Sequence, residues 1–137
     1  MARFYGDAPA SLDRYSSGWA GYVWCYGGGY CTVDEDGRFQ ANKEQTARPY
    51  APAVAGTIRG QHYDPTRRTF RLVYDTSGRS DVSELSTPPT ATGPRVSVQG
   101  PDIAWPRIVP AGERGTIRVR TQPGASGRVT VTVSARG

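Results

Sequence analysis

Residues 18–39, "GWAGYVWCYGGGYCTVDEDGRF", hold both cysteines of the chain, two of its three tryptophans, three tyrosines and three consecutive carboxylates. These residue types offer three chemistries. Aromatic rings stack on sugars or lipids, paired thiols close a disulfide or ligate a metal, and carboxylates move protons. Cys25 and Cys31 stand six apart in a glycine-rich loop, a separation that a disulfide closes in an oxidising compartment. A pair of free or buried thiols is the other reading. Zinc lacks a ligand set, because two thiols have only the distant His62 to join them. Asp34, Glu35 and Asp36 lie among turn-forming residues and read as a solvated loop. No Ser-His-Asp arrangement, phosphate-binding loop or metal spacing supplies a catalytic centre elsewhere.

The elements that would position these residues change character near residue 50. Beyond it the sequence alternates with period two: "TIRVRT" sets Ile117 and Val119 against Arg118 and Arg120, and "RVTVTVSA" sets Val129, Val131 and Val133 against Thr130, Thr132 and Ser134. "RTFRLVYD" groups Phe70, Leu72 and Tyr74 on one face, and "RVSVQ" adds Val96 and Val98. "YDPTRRTF" reads as a hairpin connection with Pro65 at the first central turn position. "PGASG" reads as the turn of a terminal hairpin. With weaker strands at "GTIRGQHY" and "DIAWPRIV", where Pro106 marks an edge or bend, about six strands are expected, the rhythm of a β-sandwich. Before residue 50 the expectation is a short helix starting at Ser11, a continuous apolar strand at "WAGYVWCY", a loop, and a helix over "FQANKEQTA". A lone buried strand cannot form a sheet, so its neighbours are expected outside this chain.

Bulk properties agree. The 137 residues suit a single domain of modest core, and 17 Gly with 11 Pro favour short segments joined by turns over a helical bundle. The formal charge is +5, and because Lys43 is the sole lysine the cations are almost entirely Arg, spread from Arg3 to Arg136 without a dense block. That distribution argues against a dedicated nucleic-acid surface. "MARFYGDAPASLDRY" has no apolar signal-peptide core, and no stretch has the apolar length of a membrane span.

"ARPYAPAVAGTIRGQHYDPTRRTFRLVYD" resembles the junction and first hairpin of the C-terminal β-sandwich domain of endoglycoceramidase-like enzymes in glycoside hydrolase family 5. Arg48, Pro49, Tyr50, Ala53, Val54, Ala55 and Gly56 match the family's junction segment, and Asp64 and Pro65 match its hairpin. Ala51 and Tyr63 depart from it. The specific match covers about 29 residues. The resemblance implies a mainly β fold, an antiparallel β-sandwich over 50–137, preceded over 1–49 by a helix-strand-helix remnant of a (β/α)8 barrel. It further implies that Trp24 and Tyr26 are the remnant of a sugar-stacking platform at the end of the last barrel strand, after Gly18-Trp19. Without a barrel around them, Trp19, Tyr22 and Trp24 read as core.

Family members are retaining glycosidases, which need two carboxyl groups about 5 to 5.5 Å apart. The resemblance places both upstream of this chain. If "FYG" is the remnant of the family's nucleophile motif, Phe4 stands where the glutamate would be. The expectation is therefore a C-terminal, accessory portion of a glycolipid-cleaving glycosidase, itself without catalytic residues, metal or cofactor. Implied partners are a glycolipid or carbohydrate, an upstream barrel polypeptide and a membrane surface met peripherally. Such enzymes are often secreted, and this chain shows no export segment. The alternative is a free-standing carbohydrate- or lipid-binding module using Trp105, Tyr63 or Tyr74.

Overall fold

The computed structural model describes residues 2–15, 27, 31–40, 43, 46–79, 81–88, 93–103 and 115–135. The chain separates into two compact units, Met1–Arg48 and Pro49–Gly137.

In the first unit, helix α1 spans Ala2–Tyr15, with Pro9 inside it and Arg14 in the last turn, where a cation complements the helix dipole. Ser11 and Asp13, expected to begin a helix, lie instead near its end. The helix runs through Pro9, whose ring removes one backbone donor. Farther on, Val33 and Phe39 form an antiparallel bridge around a tight turn. The helix expected over "FQANKEQTA" does not form among the described residues. Lys43 N donates to Gln40 O and Thr46 N to Lys43 O, bonds of the tighter three-residue spacing. The Thr46 hydroxyl also donates to Lys43 O at 2.6 Å, offering that carbonyl a partner outside an α-helical ladder. The strand expected at "WAGYVWCY" lies outside the described residues.

The second unit is a two-layer antiparallel sandwich. Its strands are β1 Tyr50–Ala53, β2 Gly56–Asp64, β3 Thr69–Thr76, β4 Val82–Thr87, β5 Pro94–Gln99, β6 Gly115–Arg120 and β7 Arg128–Ala135. One sheet has the order β1-β4-β6 and the other β2-β3-β7-β5. Alternation decides which residues meet. Phe70, Leu72 and Tyr74 of β3 stand opposite Val133, Val131 and Val129 of β7, and Val96 and Val98 of β5 extend the first two of these three rows. Leu85 of β4 stands opposite Ile117 of β6 in the facing sheet. Together with Val119 these residues form one cluster drawn from both sheets, buried except for the partly buried Val96 and Val98 packed against it. Burying a side chain of this size stabilises by about 1.5–3 kcal/mol, which makes the cluster the main source of stability.

The β2–β3 hairpin forms as expected. Asp64 Oδ1 accepts from the N–H groups of Thr66 and Arg67 at 2.9 and 3.0 Å, and Arg68 takes a left-handed conformation (φ 48). Three strand expectations are corrected. "PGASG" is not a hairpin turn, because β6 pairs with β4 and β7 with β3 and β5, so this segment crosses between sheets. Gly124 N donates to Gly78 O, and Ala125 is buried beneath the crossing. Ile103 makes only an isolated bridge to Thr121, and the rest of "AWPRIV" lies outside the described residues. Strands β1 and β4 join the five of the expected strands that form among the described residues. The inward face of β4 is Ser83, Leu85 and Thr87, so two of its three buried positions carry hydroxyls and blur the apolar alternation.

Candidate functional site

The aromatic and cysteine-rich stretch is described only in part. Trp24, Tyr26 and Cys25, with Trp19 and Tyr22, lie outside the described residues. Cys31 is buried and disulfide-bonded. Its carbonyl accepts from the buried Lys43 Nζ at 2.6 Å, which gives that ammonium a partner in place of water. Gly27 N donates to Val33 O, so the glycine run returns to the segment that carries Cys31.

The three adjacent carboxylates form a turn. Asp34 Oδ1 accepts from the backbone N–H groups of Asp36 and Arg38 at 3.0 and 2.8 Å, and Gly37 supplies the positive φ (77) that closes it. Asp36 Oδ2 pairs with Arg38 at 3.2 Å between side chains that are both largely exposed. These groups shape a solvated loop, as their setting among turn residues implied. Phe4, set where the resemblance would put the family's glutamate, lies within helix α1.

Among the described residues, the carboxyl with a displaced titration is Asp75 on β3. Hydrogen bonds from Arg59 first and Arg128 second hold it below its ordinary value, with Nε to Oδ distances of 2.6 and 3.2 Å. A general acid needs displacement in the opposite direction. Asp75 is the anchor of an ion-pair cluster that ties β2, β3 and β7 together. No group of three or more His, Cys, Asp or Glu with metal-binding geometry occurs among the described residues. No described helix is long and apolar enough to cross a membrane.

The segment following Arg48 is closely held by backbone contacts. Arg48 is buried and its Nη2 donates to Pro9 O at 3.4 Å within the first unit. Beyond it, Tyr50 is 55% exposed on β1, whereas Ala51 and Val54 pack against the core. Val54 and Ala55 carry the chain from one sheet to the other in two residues. Ala55 N donates to Ser83 Oγ at 2.9 Å, and Ala55 O accepts from Ser77 N. At Gly56 an added Cβ would overlap the Asp75 carbonyl oxygen, so only glycine fits this approach.

Of the aromatics proposed to bind a ligand, Tyr74 is 1% exposed and Tyr63 is half-buried against the core. Trp105 lies outside the described residues. The sequence pointed to Tyr74 as core through its alternation with Phe70 and Leu72. It gave no direct sign of Ser83, the fully buried hydroxyl that meets both Ala55 and Tyr74. A serine two residues from an inward leucine was the available signal.

A family model described as the glycoside hydrolase family 5 C-terminal domain matches residues 48–133. The structure is similar to endo-glycoceramidase II from Rhodococcus sp. in its five-membered iminocyclitol complex, with a TM-score of 0.69 and 24% identity over 99% of this chain and 30% of that one. The ganglioside GM3 complex of the same enzyme gives a TM-score of 0.68 at 21% identity, covering 99% of this chain and 29% of that one. Sterylglucosidase 1 from Cryptococcus neoformans, with tris, aligns at a TM-score of 0.52 and 16% identity over 70% of this chain and 15% of that one. At these identities the likeness shows a shared fold. The chain spans about a third or less of these structures' lengths. No curated protein matches the sequence.

Proposed function

We propose, from the premise that this chain belongs to the glycoside hydrolase family 5 C-terminal domain family, that it is the accessory part of a glycosidase acting on lipid-linked sugars. The observation that carries this reading is the agreement of two boundaries. The family match runs over 48–133, and the two-sheet unit runs over Pro49–Gly137. In this reading the sandwich supplies a folded body beside a barrel that holds both carboxylates of a retaining reaction, one protonating the leaving oxygen and one attacking the anomeric carbon. Residues 1–49 supply the end of that barrel, with Trp24 and Tyr26 facing the sugar. Cys31 is paired with Cys25, the only other cysteine in the sequence.

The substrate class comes from the relatives' names, an endo-glycoceramidase and a sterylglucosidase, both of which denote sugars attached to lipids. The test joins this chain to a family 5 barrel truncated before its own last helix-strand-helix unit. Cleavage of a fluorescent glycosylceramide is expected from the joined protein and not from the 137-residue chain alone. Release of sugar by the isolated chain would overturn the non-catalytic reading. A joined protein that folds but binds no glycolipid would overturn the substrate class.

A further inference from the structure

The alternation that buries Phe70, Leu72 and Tyr74 turns Arg71 and Asp75 to the other side of the four-stranded sheet. Strand register then fixes their company. Arg71 shares a row with Thr132 and Ser97, and the neighbouring row pairs Ser134 with Arg95. Asp75 stands opposite Arg128 and also receives Arg59, so one carboxylate lies between two guanidinium groups. That cluster keeps one surplus positive charge. Asp64, on the same sheet, is engaged by its own turn and by Arg67 at 3.9 Å. Arg71 and Arg95 are exposed and have no carboxylate at ion-pair distance among the described residues.

Three uncompensated cations on a sheet face lined with hydroxyl groups call for an anionic partner. Spacing decides which kind. Arg71 and Arg95 are two strands and two residues apart, roughly 12 Å from the usual strand spacing and rise. That figure separates their Cα atoms across an open sheet face, which offers no concavity to enclose a small anion. A broad surface bearing many separate anions can engage each arginine independently.

We infer that the outer face of the β2-β3-β7-β5 sheet, through Arg71, Arg95 and the Arg59–Asp75–Arg128 cluster, docks on the anionic headgroups of a lipid bilayer. The choice of a bilayer over a soluble polyanion rests on the proposed lipid-linked substrate, since docking there would hold the attached barrel at the surface where such substrates reside. Arginine near an anionic membrane contributes about fivefold in binding per residue, and the effect decays within a Debye length. Three surplus charges therefore give weak, salt-sensitive association, enough to retain an enzyme locally without anchoring it.

The test sediments the full 137-residue chain with vesicles of phosphatidylcholine alone or mixed with phosphatidylserine. Retention is expected only on the mixed vesicles and is expected to disappear at about 1 M salt, where the Debye length falls to about 3 Å. The double variant Arg71→Glu/Arg95→Glu is expected to bind at least about 25-fold more weakly. The control Arg79→Glu/Arg120→Glu makes the same charge change at exposed sites away from this face and is expected to retain binding. Asp75→Asn leaves two guanidinium groups unneutralised and is expected to bind several-fold more tightly, a gain that misfolding does not produce. Equal loss in both double variants, equal retention on neutral vesicles, or binding to heparin without binding to the mixed vesicles would overturn the inference. Sedimentation needs neither a barrel nor cleavage, so its outcome is separate from that of the joined-enzyme test.

Discussion

Tyr74 and Ser83 come from opposite sheets and meet in the middle of the sandwich, where neither side chain has access to water. Ser83 Oγ accepts from Ala55 N, and its own hydroxyl hydrogen is left to bond the Tyr74 oxygen. Burial pushes the Tyr74 phenol above its ordinary value of 10.0, and the Ser83 bond opposes this in part. A raised value in the folded state leaves stability unaffected below pH 10 and removes it as pH rises from there, because the unfolded chain ionises first. Tyr74→Phe is expected to cost about 1 kcal/mol at neutral pH through the lost bond. The same substitution is expected to flatten the alkaline decline relative to the native chain. Urea midpoints at neutral and alkaline pH check both effects, and an unchanged alkaline slope would remove Tyr74 as its source.

At the scale of elements, the link between β1 and β2 is where the family's junction residues act. The chain leaves one sheet at Ala53 and enters the other at Gly56, so Val54 and Ala55 must turn while their backbone groups find partners. Ser83 and Ser77 supply those partners, and Gly56 lets β2 approach β3 at the Asp75 carbonyl. Gly56→Ala introduces a carbon into occupied backbone space, which no side-chain rotation relieves. The expected loss is about 2 kcal/mol or more, in the range of strained or overpacked sites. Hydrogen exchange is expected to rise first at the Gly56–Thr76 end of the β2–β3 ladder, and unchanged protection there would refute the steric account. Gly60, farther along β2, where a Cβ meets nothing, is the control, with Gly60→Ala expected to have little effect.

At the scale of the whole molecule, the division into Met1–Arg48 and Pro49–Gly137 has an energetic counterpart. The buried cluster Phe70, Leu72, Tyr74, Leu85, Ile117, Val119, Val129, Val131 and Val133 lies wholly in the second unit. A fragment of residues 49–137 is therefore expected to fold alone and to unfold in urea as a single cooperative transition. A broad, non-cooperative transition for that fragment would show that its core requires residues 1–48. Proteolysis of the full chain is expected to cut earliest before Arg48, because the buried cluster lies wholly in the second unit.

The sequence by itself determined the faces of β3, β5, β6 and β7, because strict alternation of apolar and polar residues admits one inward side. It also determined the β2–β3 turn, through the local chemistry of Asp64 and Pro65, and the role of Asp34 as a turn residue. Tertiary structure alone decided which strands pair. The same "PGASG" suits a hairpin or a crossing, and only the competition of β4 for β6 and of β3 and β5 for β7 selects the crossing. Strand β4 is not legible from its sequence because Ser83 and Thr87 are buried by virtue of distant partners, Ala55 with Tyr74 for one and the Gly115 carbonyl for the other. The cationic sheet face was likewise present in the sequence as scattered arginines. Periodicity says that Arg71 and Arg95 point away from the core, but only the β3-β7-β5 register brings them onto one surface, since non-local pairing is fixed by the packing of the whole sandwich.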